Sequence, residues 1–176
     1  MEVPEPAASN PHLVDVPVTA GQLRDVGLFG GLSDAVLEGL AASLPIERVA
    51  PGGVVFREGD SAQCLYVLLD GEVEVLKKSH AGREHRVAVL GPSDCFGEMS
   101  LIDVQPRSAT VRAVAPARLL RMTSEDFDRL YRHDLKSYAL VVLNAARDLS
   151  RRLRVADAIL ADVAGSVVDR YVVTRR

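Results

Sequence analysis

Apolar positions along the chain change their spacing twice, from helical to alternating and back to helical. Residues 1–18 precede any periodicity. Pro4, Pro6, Pro11 and Pro17 stand there among small and acidic residues, and proline supplies neither helical continuity nor a backbone donor. A flexible leader is expected over this stretch, with ordered structure from about Thr19. Thr19–Phe29 reads as a short helix broken by Gly30-Gly31. Ser33 is placed to cap a second helix, with Asp34 in its first turn. Val36, Leu37, Leu40 and Leu44 then recur at helical spacing until Pro45.

From Ile46 apolar residues alternate or come in short runs. Turn chemistry separates them at Pro51-Gly52-Gly53, Gly59-Asp60, Asp70-Gly71, Gly82, Gly91-Pro92 and Gly97. Short strands at this spacing predict a small β-sandwich or barrel. Cys64–Leu69 and Glu72–Lys77 flank Asp70-Gly71, a two-residue turn suited to a tight hairpin. After Met122 the pattern is helical again. Thr123 or Ser124 can cap a helix carrying Glu125 and Asp126 in its first turn and Phe127, Leu130 and Tyr131 on its apolar face.

A long helix is expected from Leu135 to about Val163. Tyr138, Val142, Ala145, Leu149, Ala156, Ile159 and Val163 fall at spacings of three and four, interrupted by Arg152. That is the seam of a coiled coil, or equally the face of a helix packed on its own domain.

Composition narrows the function classes. The chain has 176 residues, 48% hydrophobic and 26% charged, enough for one globular domain with a core. A formal net charge of -3 gives no global attraction to nucleic acid or anionic membrane, so any phosphate site must be local. Cys64 and Cys95 are too few for a disulfide framework and read as two small buried apolar residues. With neither a secretory signal pattern nor a membrane-spanning apolar run, a cytoplasmic protein is expected. His12, His80, His85 and His133 show no metal-ligand spacing, and His80 and His85 fall in an expected solvated hairpin loop. No metal, cofactor or enzymatic nucleophile–base pair is expected.

The candidate chemistry lies in FGEMSLIDVQPRSATV, residues 96–111. Gly97 lets a ligand approach the backbone closely. The turn Glu98-Met99-Ser100-Leu101 offers unpaired amides at its start, and Arg107, pinned by Pro106, offers a permanently charged bidentate donor. A carboxylate beside a phosphate would repel it, so Glu98 suits a ribose hydroxyl. Amides, one guanidinium and one carboxylate together describe a sugar-phosphate. The alternative is that Glu98 and Arg107 form a surface salt bridge around a tight turn.

FGEMSLI followed by PRSATV resembles the phosphate-binding cassette of the cyclic nucleotide-binding domain family, which includes protein kinase regulatory subunits, cyclic-nucleotide-gated channels and bacterial catabolite activators. Pro51-Gly52, Phe56, Gly59-Asp60, YVLLDGEVEVL at 66–76 and Leu90-Gly91 extend the resemblance, which runs from about Leu28 to Leu153. It implies a mainly β fold: an eight-stranded, jelly-roll-like β-roll with N-terminal helices and two C-terminal helices, the last one long. Together with the proline-rich leader and the helical spacing, it divides the chain into a leader over 1–18, a nucleotide-binding domain over 19–163 and a tail over 164–176.

By the same resemblance, Gly97, Glu98, Met99, Ser100, Arg107, Ser108 and Ala109 would hold the ribose and cyclic phosphate. Phe56, Val75, Val87 and Ala88 would line the base pocket, positions that ordinary core packing also explains. The last helix would close as a lid, with Leu149 and Leu153 as apolar candidates and Arg151 or Arg152 able to stack on the purine. The family often carries glycine where this chain has Ser93. Its cGMP-selective members tend to have threonine at the position of Ser108, so cAMP is the expected ligand, with cGMP or a cyclic dinucleotide as alternatives.

The thirteen residues after Val163 are too few for an attached winged helix-turn-helix. A stand-alone receptor is therefore expected, signalling to an effector protein or through a homodimer of the last helix. A transcription regulator without its own DNA-binding domain is the alternative. Arg147, Arg151, Arg152, Arg154 and the tail Thr174–Arg176 supply some positive charge for it, against an acidic total.

Overall fold

A computed structural model describes residues 17–103 and 105–173; the leader up to residue 16, Val104 and the end of the tail lie outside the described residues. Helix α1 (Ala20–Arg24) starts on a capping box. Thr19 Oγ1 accepts from the Gln22 amide at 3.2 Å, and Gln22 Oε1 accepts from the Thr19 amide at 3.1 Å. The helix is shorter than its spacing predicts, and a single 3-10 turn over Gly27–Phe29 completes the stretch. Helix α2 (Asp34–Ser43) follows Ser33, whose backbone is extended as a cap requires but whose side chain makes no capping bond.

Eight strands then form two four-stranded antiparallel sheets. One runs β1 (Ile46–Val49), β8 (Ala117–Thr123), β3 (Cys64–Asp70), β6 (Cys95–Phe96). The other runs β2 (Val54–Phe56), β7 (Thr110–Ala113), β4 (Val73–Lys78), β5 (Glu84–Leu90). A short helix, α3 (Met99–Ile102), bridges β6 to the segment before β7. Helices α4 (Ser124–His133) and α5 (Leu135–Val173) close the chain, so the β-roll with flanking helices expected from the sequence is the fold observed.

The period of two along β3 divides its residues between two cores. Tyr66 and Leu68 face the opposite sheet, where they pack with Val73, Phe96, Val111, Ala113 and Leu119. Leu65, Val67 and Leu69 face the helices, against Leu23, Phe29, Leu37, Leu130, Val141 and Ala145. A strand buried on both faces reads as a continuous apolar run, which is why CLYVLLD shows no alternation. Each such fully buried leucine or valine contributes roughly 1.5–3 kcal/mol. The second sheet is buried on one face only. Glu74 and Arg112 stand on its other face as an ion pair at 2.6 Å.

Three local expectations are corrected. Asp70-Gly71 does not close a hairpin, because β3 and β4 belong to different sheets and the chain crosses between them there. Gly71 has φ +93°, and a Cβ on it would stand 2.2 Å from the Pro116 carbonyl oxygen, so the crossing leaves room only for glycine. The true hairpin joins β4 to β5, with His80 in its turn and His85 on β5 opposite Lys77. Finally, Cys95 is buried as expected, its thiol pushed up to about 12 by burial, but Cys64 is only half-buried.

Thr123 supplies the cap of α4: its hydroxyl accepts from the Asp126 amide at 3.2 Å, and the Asp126 carboxylate accepts in return from the Thr123 amide at 2.9 Å. Of the two readings of the last helix, packing on its own domain holds over the first part of it. Tyr138, Val141 and Ala145 pack on the domain, and Asn144 donates to the Leu28 and Gly30 carbonyls at 3.1 and 2.9 Å. From Arg151 to Gly165 every residue is exposed, including Leu153, Ile159, Leu160 and Val163. The helix runs ten residues past its expected end, to Val173.

Ser93, where the family resemblance leads one to expect glycine, has φ +74°, the one positive value on a residue other than glycine among the described residues. The serine thus keeps the turn shape, its amide donating to the Leu68 carbonyl at 2.8 Å, at the steric cost of a Cβ in left-handed backbone. Ser93→Gly should raise unfolding free energy in urea by about 0.5–1.5 kcal/mol without moving any ligand contact.

Candidate functional site

At the end of β6 the backbone turns at Gly97, with φ +81°, into α3. A Cβ on Gly97 would lie 2.5 Å from Arg107 Nη1, so the glycine makes room for the guanidinium that crosses it. Arg107 is only 6% exposed. Its Nη1 donates to the Gly97 carbonyl at 3.2 Å and its Nη2 to Cys64 Sγ at 3.3 Å, while its Cζ lies 4.0 Å from the centre of the Phe56 ring. The backbone on both sides is fixed. The Arg107 amide donates to the Asp60 carbonyl at 2.9 Å, and the Gly59 amide donates to the Arg107 carbonyl at 2.8 Å. Lys77 Nζ, anchored to Glu58 Oε1 at 2.7 Å, also donates to the Ser108 carbonyl. Gly59-Asp60 therefore serves as the partner that holds the arginine segment.

Glu98 is 3% exposed and stands at the N-cap of α3. Burial pushes its carboxyl above the ordinary carboxylate range, and the Arg152 guanidinium opposes that shift. Arg152 Nη1 lies 3.5 Å from Glu98 Oε1; its Nη2 donates to the Cys95 carbonyl at 2.6 Å and pairs with Asp148 at 2.8 Å. With both Glu98 and Arg107 buried, the surface salt bridge weighed from spacing alone is not what the chain forms.

Between them lies a cavity of about 220 Å³. It brings together Gly97, Glu98, Met99, Arg107, Ser108 and Ala109 with Phe56, Val75 and Arg152. The Ser108 hydroxyl rests 3.7 Å from Met99 Sδ. The side chain of Ser100 lies outside the described residues. Other expected positions are elsewhere. Val87 is 61% exposed, because a register slip between Val75–Ala88 and Leu76–Arg86 leaves it without a cross-strand partner on the edge strand. Ala88 pairs with Val75 in register but does not line the cavity. Of the lid candidates only Arg152 reaches it. Leu149 is half-buried away from it, Arg151 pairs with Asp148 on the exposed helix face, and Leu153 is exposed.

The cavity also has walls that the sequence reading missed: Phe96, Asp103, Gln105, Pro106 and Val111. Phe96 closes an aromatic cluster with Phe56 and Tyr66, ring centres 5.9 and 5.5 Å from it. Its place immediately before Gly97 was the available signal. The arrangement can take an anion against the guanidinium, a hydroxyl-bearing group against the carboxylate, and a flat apolar body against the rings.

Known proteins resemble the chain over this same region. The sequence profile of the cyclic nucleotide-binding domain matches residues 46–134. The cyclic AMP receptor protein of Thermus thermophilus is 40% identical over 74% of this chain and 58% of its own. The CRP-like cAMP-activated global transcriptional regulator of Mycobacterium tuberculosis is 32% identical, over 82% of this chain and 65% of its own. The chain thus spans less than two thirds of either relative. A solved cyclic nucleotide-binding domain from Methylobacillus flagellatus superposes with a TM-score of 0.75 at 25% identity, covering 81% of this chain and 83% of that one. A profile match that opens on the first strand of the roll and runs through α4, carried by relatives alike across most of the chain, makes this protein a member of the cyclic nucleotide-binding domain family.

Proposed function

We propose that this chain is a cytoplasmic, non-enzymatic receptor for a cyclic nucleotide, cAMP in preference to cGMP, that signals through α5. The observation carrying this reading is the pair of buried, oppositely charged side chains, Glu98 and Arg107, on one cavity with the Phe56 ring. Arg107 and the amides from Gly97 onward take the cyclic phosphate, and Glu98 accepts from the ribose hydroxyl. The purine enters between Phe56 and Val75. Arg152, which leans on Glu98, exchanges that contact for the base. Because Arg152 belongs to α5, the exchange reports occupancy to the helix. Support for cAMP over cGMP is the serine at position 108. Among the described residues no helix is long and apolar enough to cross a membrane.

The exposed stripe of Leu153, Ile159, Leu160 and Val163 on α5 favours output through a homodimer of that helix, with an effector protein as the further partner. A second reading, a transcription regulator without its own DNA-binding domain, is favoured by the regulator relatives. Duplex DNA retardation with a steep salt dependence would support it.

Isothermal titration calorimetry tests the site. Arg107→Ala should weaken cAMP binding by about 1.5–3 kcal/mol, roughly 10- to 150-fold, and the parent should bind cAMP more tightly than cGMP. Unchanged affinity in Arg107→Ala removes the phosphate assignment.

Glu98 should show the opposite signs for binding and stability. Its folded-state pKa is raised, so without added nucleotide stability falls as pH rises from 4.5 through the raised value and stays low above it. Glu98→Gln should therefore melt higher than the parent at neutral pH while binding cAMP less tightly. A lower melting temperature would contradict the buried-charge account.

Sedimentation velocity tests the output. Ile159→Asp should convert a dimer to monomer while leaving cAMP affinity within about twofold, since it costs the stripe a buried apolar side chain and touches no cavity. A parent that sediments as a monomer with and without cAMP ends the homodimer reading.

A further inference from the structure

The segment after Arg107 is held from outside the nucleotide cavity by groups that do not line it. The Gly59 amide donates to the Arg107 carbonyl at 2.8 Å, and Lys77 Nζ donates to the Ser108 carbonyl. Neither Gly59 nor Lys77 is on the cavity wall, whereas Ser108 and Ala109 both are. None of the described peptide bonds is cis, and in a trans peptide the C=O and the N–H point opposite ways. Two carbonyls drawn outward therefore turn two successive N–H groups, those of Ser108 and Ala109, toward the cavity. The chain bends at both residues, and neither amide donates to a turn or loop carbonyl among the described residues. Successive amides presented in this way form a concavity that takes an anion.

The hold on Arg107 is backbone, but the hold on Ser108 is a side chain. Lys77 stands half exposed near the end of β4, and Glu58 places it. Glu58 Oε1 accepts from Lys77 Nζ at 2.7 Å, and its Oε2 accepts from the Lys78 amide at 3.1 Å. Glu58 is also tied to the far side of the segment, its amide donating to Thr110 Oγ1 at 3.0 Å. We infer that Lys77 is a positioning residue for the anion site, kept by Glu58 on the Ser108 carbonyl so that the Ala109 amide faces the phosphate of the ligand. This rests on the nucleotide reading above. A lysine acting only as a nearby positive charge would need no such anchor, and the carboxylate beside it offsets its attraction for an anion.

Calorimetric titration of the full chain with cAMP tests this. Lys77→Met should bind cAMP about 5- to 10-fold more weakly than the parent. Glu58→Ala separates positioning from charge by sign. Removing a negative charge near an anion site tightens binding if charge alone counts, whereas loss of the anchor should weaken it about threefold. In amide proton–nitrogen correlation spectra at saturating cAMP, the Ala109 proton of the parent should move downfield, and that shift should shrink in Lys77→Met. Lys77→Met binding within about twofold of the parent, tighter binding by Glu58→Ala, or an Ala109 shift that Lys77→Met leaves unchanged overturns the inference alone. A parent that does not bind cAMP overturns the nucleotide reading and this inference with it.

Discussion

Two ionisable side chains of opposite sign, Glu98 and Arg107, are held almost entirely out of water on a single cavity, and much of the surrounding structure answers to that placement. A charge withdrawn from solvent costs several kcal/mol unless dipoles, counter-charges or a ring face replace its hydration. Arg107 receives the Gly97 carbonyl, the Cys64 sulfur and the Phe56 ring. Glu98 has Arg152, reaching across from α5. The glycine at 97, the half-burial of Cys64 and the Glu58–Lys77 brace under Ser108 all follow from fixing the guanidinium there. Groups held against their own solvation in this way are preorganised for a ligand that carries complementary charge, because no rearrangement is then needed to expose them.

The same placement explains why the two sheets differ. The β1-β8-β3-β6 sheet is covered by helices on one face and by its partner sheet on the other, and the site opens where β6 ends between these layers. One wall of the site therefore belongs to the roll and another to α5. A domain built of the roll alone would leave Glu98 without Arg152.

Legibility followed the range of the interactions. The capping signal at Thr123, the cassette around Gly97 and Arg107, and the helical periodicity after Leu135 are local, and each was readable from neighbours in the chain. Asp70-Gly71 misled because hairpin chemistry and a crossing between sheets need the same glycine backbone, and only the remote pairing of β3 with β8 tells them apart. Val87 misled because the resemblance places it by its position along the strand, and a bulge that only the β4–β5 register reveals leaves it unpaired on the edge strand. Arg151 and Arg152 are adjacent and chemically alike. Which of them meets a carboxylate 54 positions away is set by the rotation of α5 on the roll, and that depends on Val141, Ala145 and Asn144. Asp103 and Gln105 carried no spacing signal at all.

The length of α5 gives the contact at Arg152 a mechanical reach. The helix continues 21 residues beyond that side chain, to Val173, which at about 1.5 Å per residue is an arm of roughly 32 Å. Pivoted at Arg152, a tilt of about 10° would sweep its tip sideways through about 5 Å, roughly half the distance between the axes of two packed helices. A displacement too small to notice at the guanidinium thus becomes, at the far end, a sideways shift on the scale of the gap between packed helices.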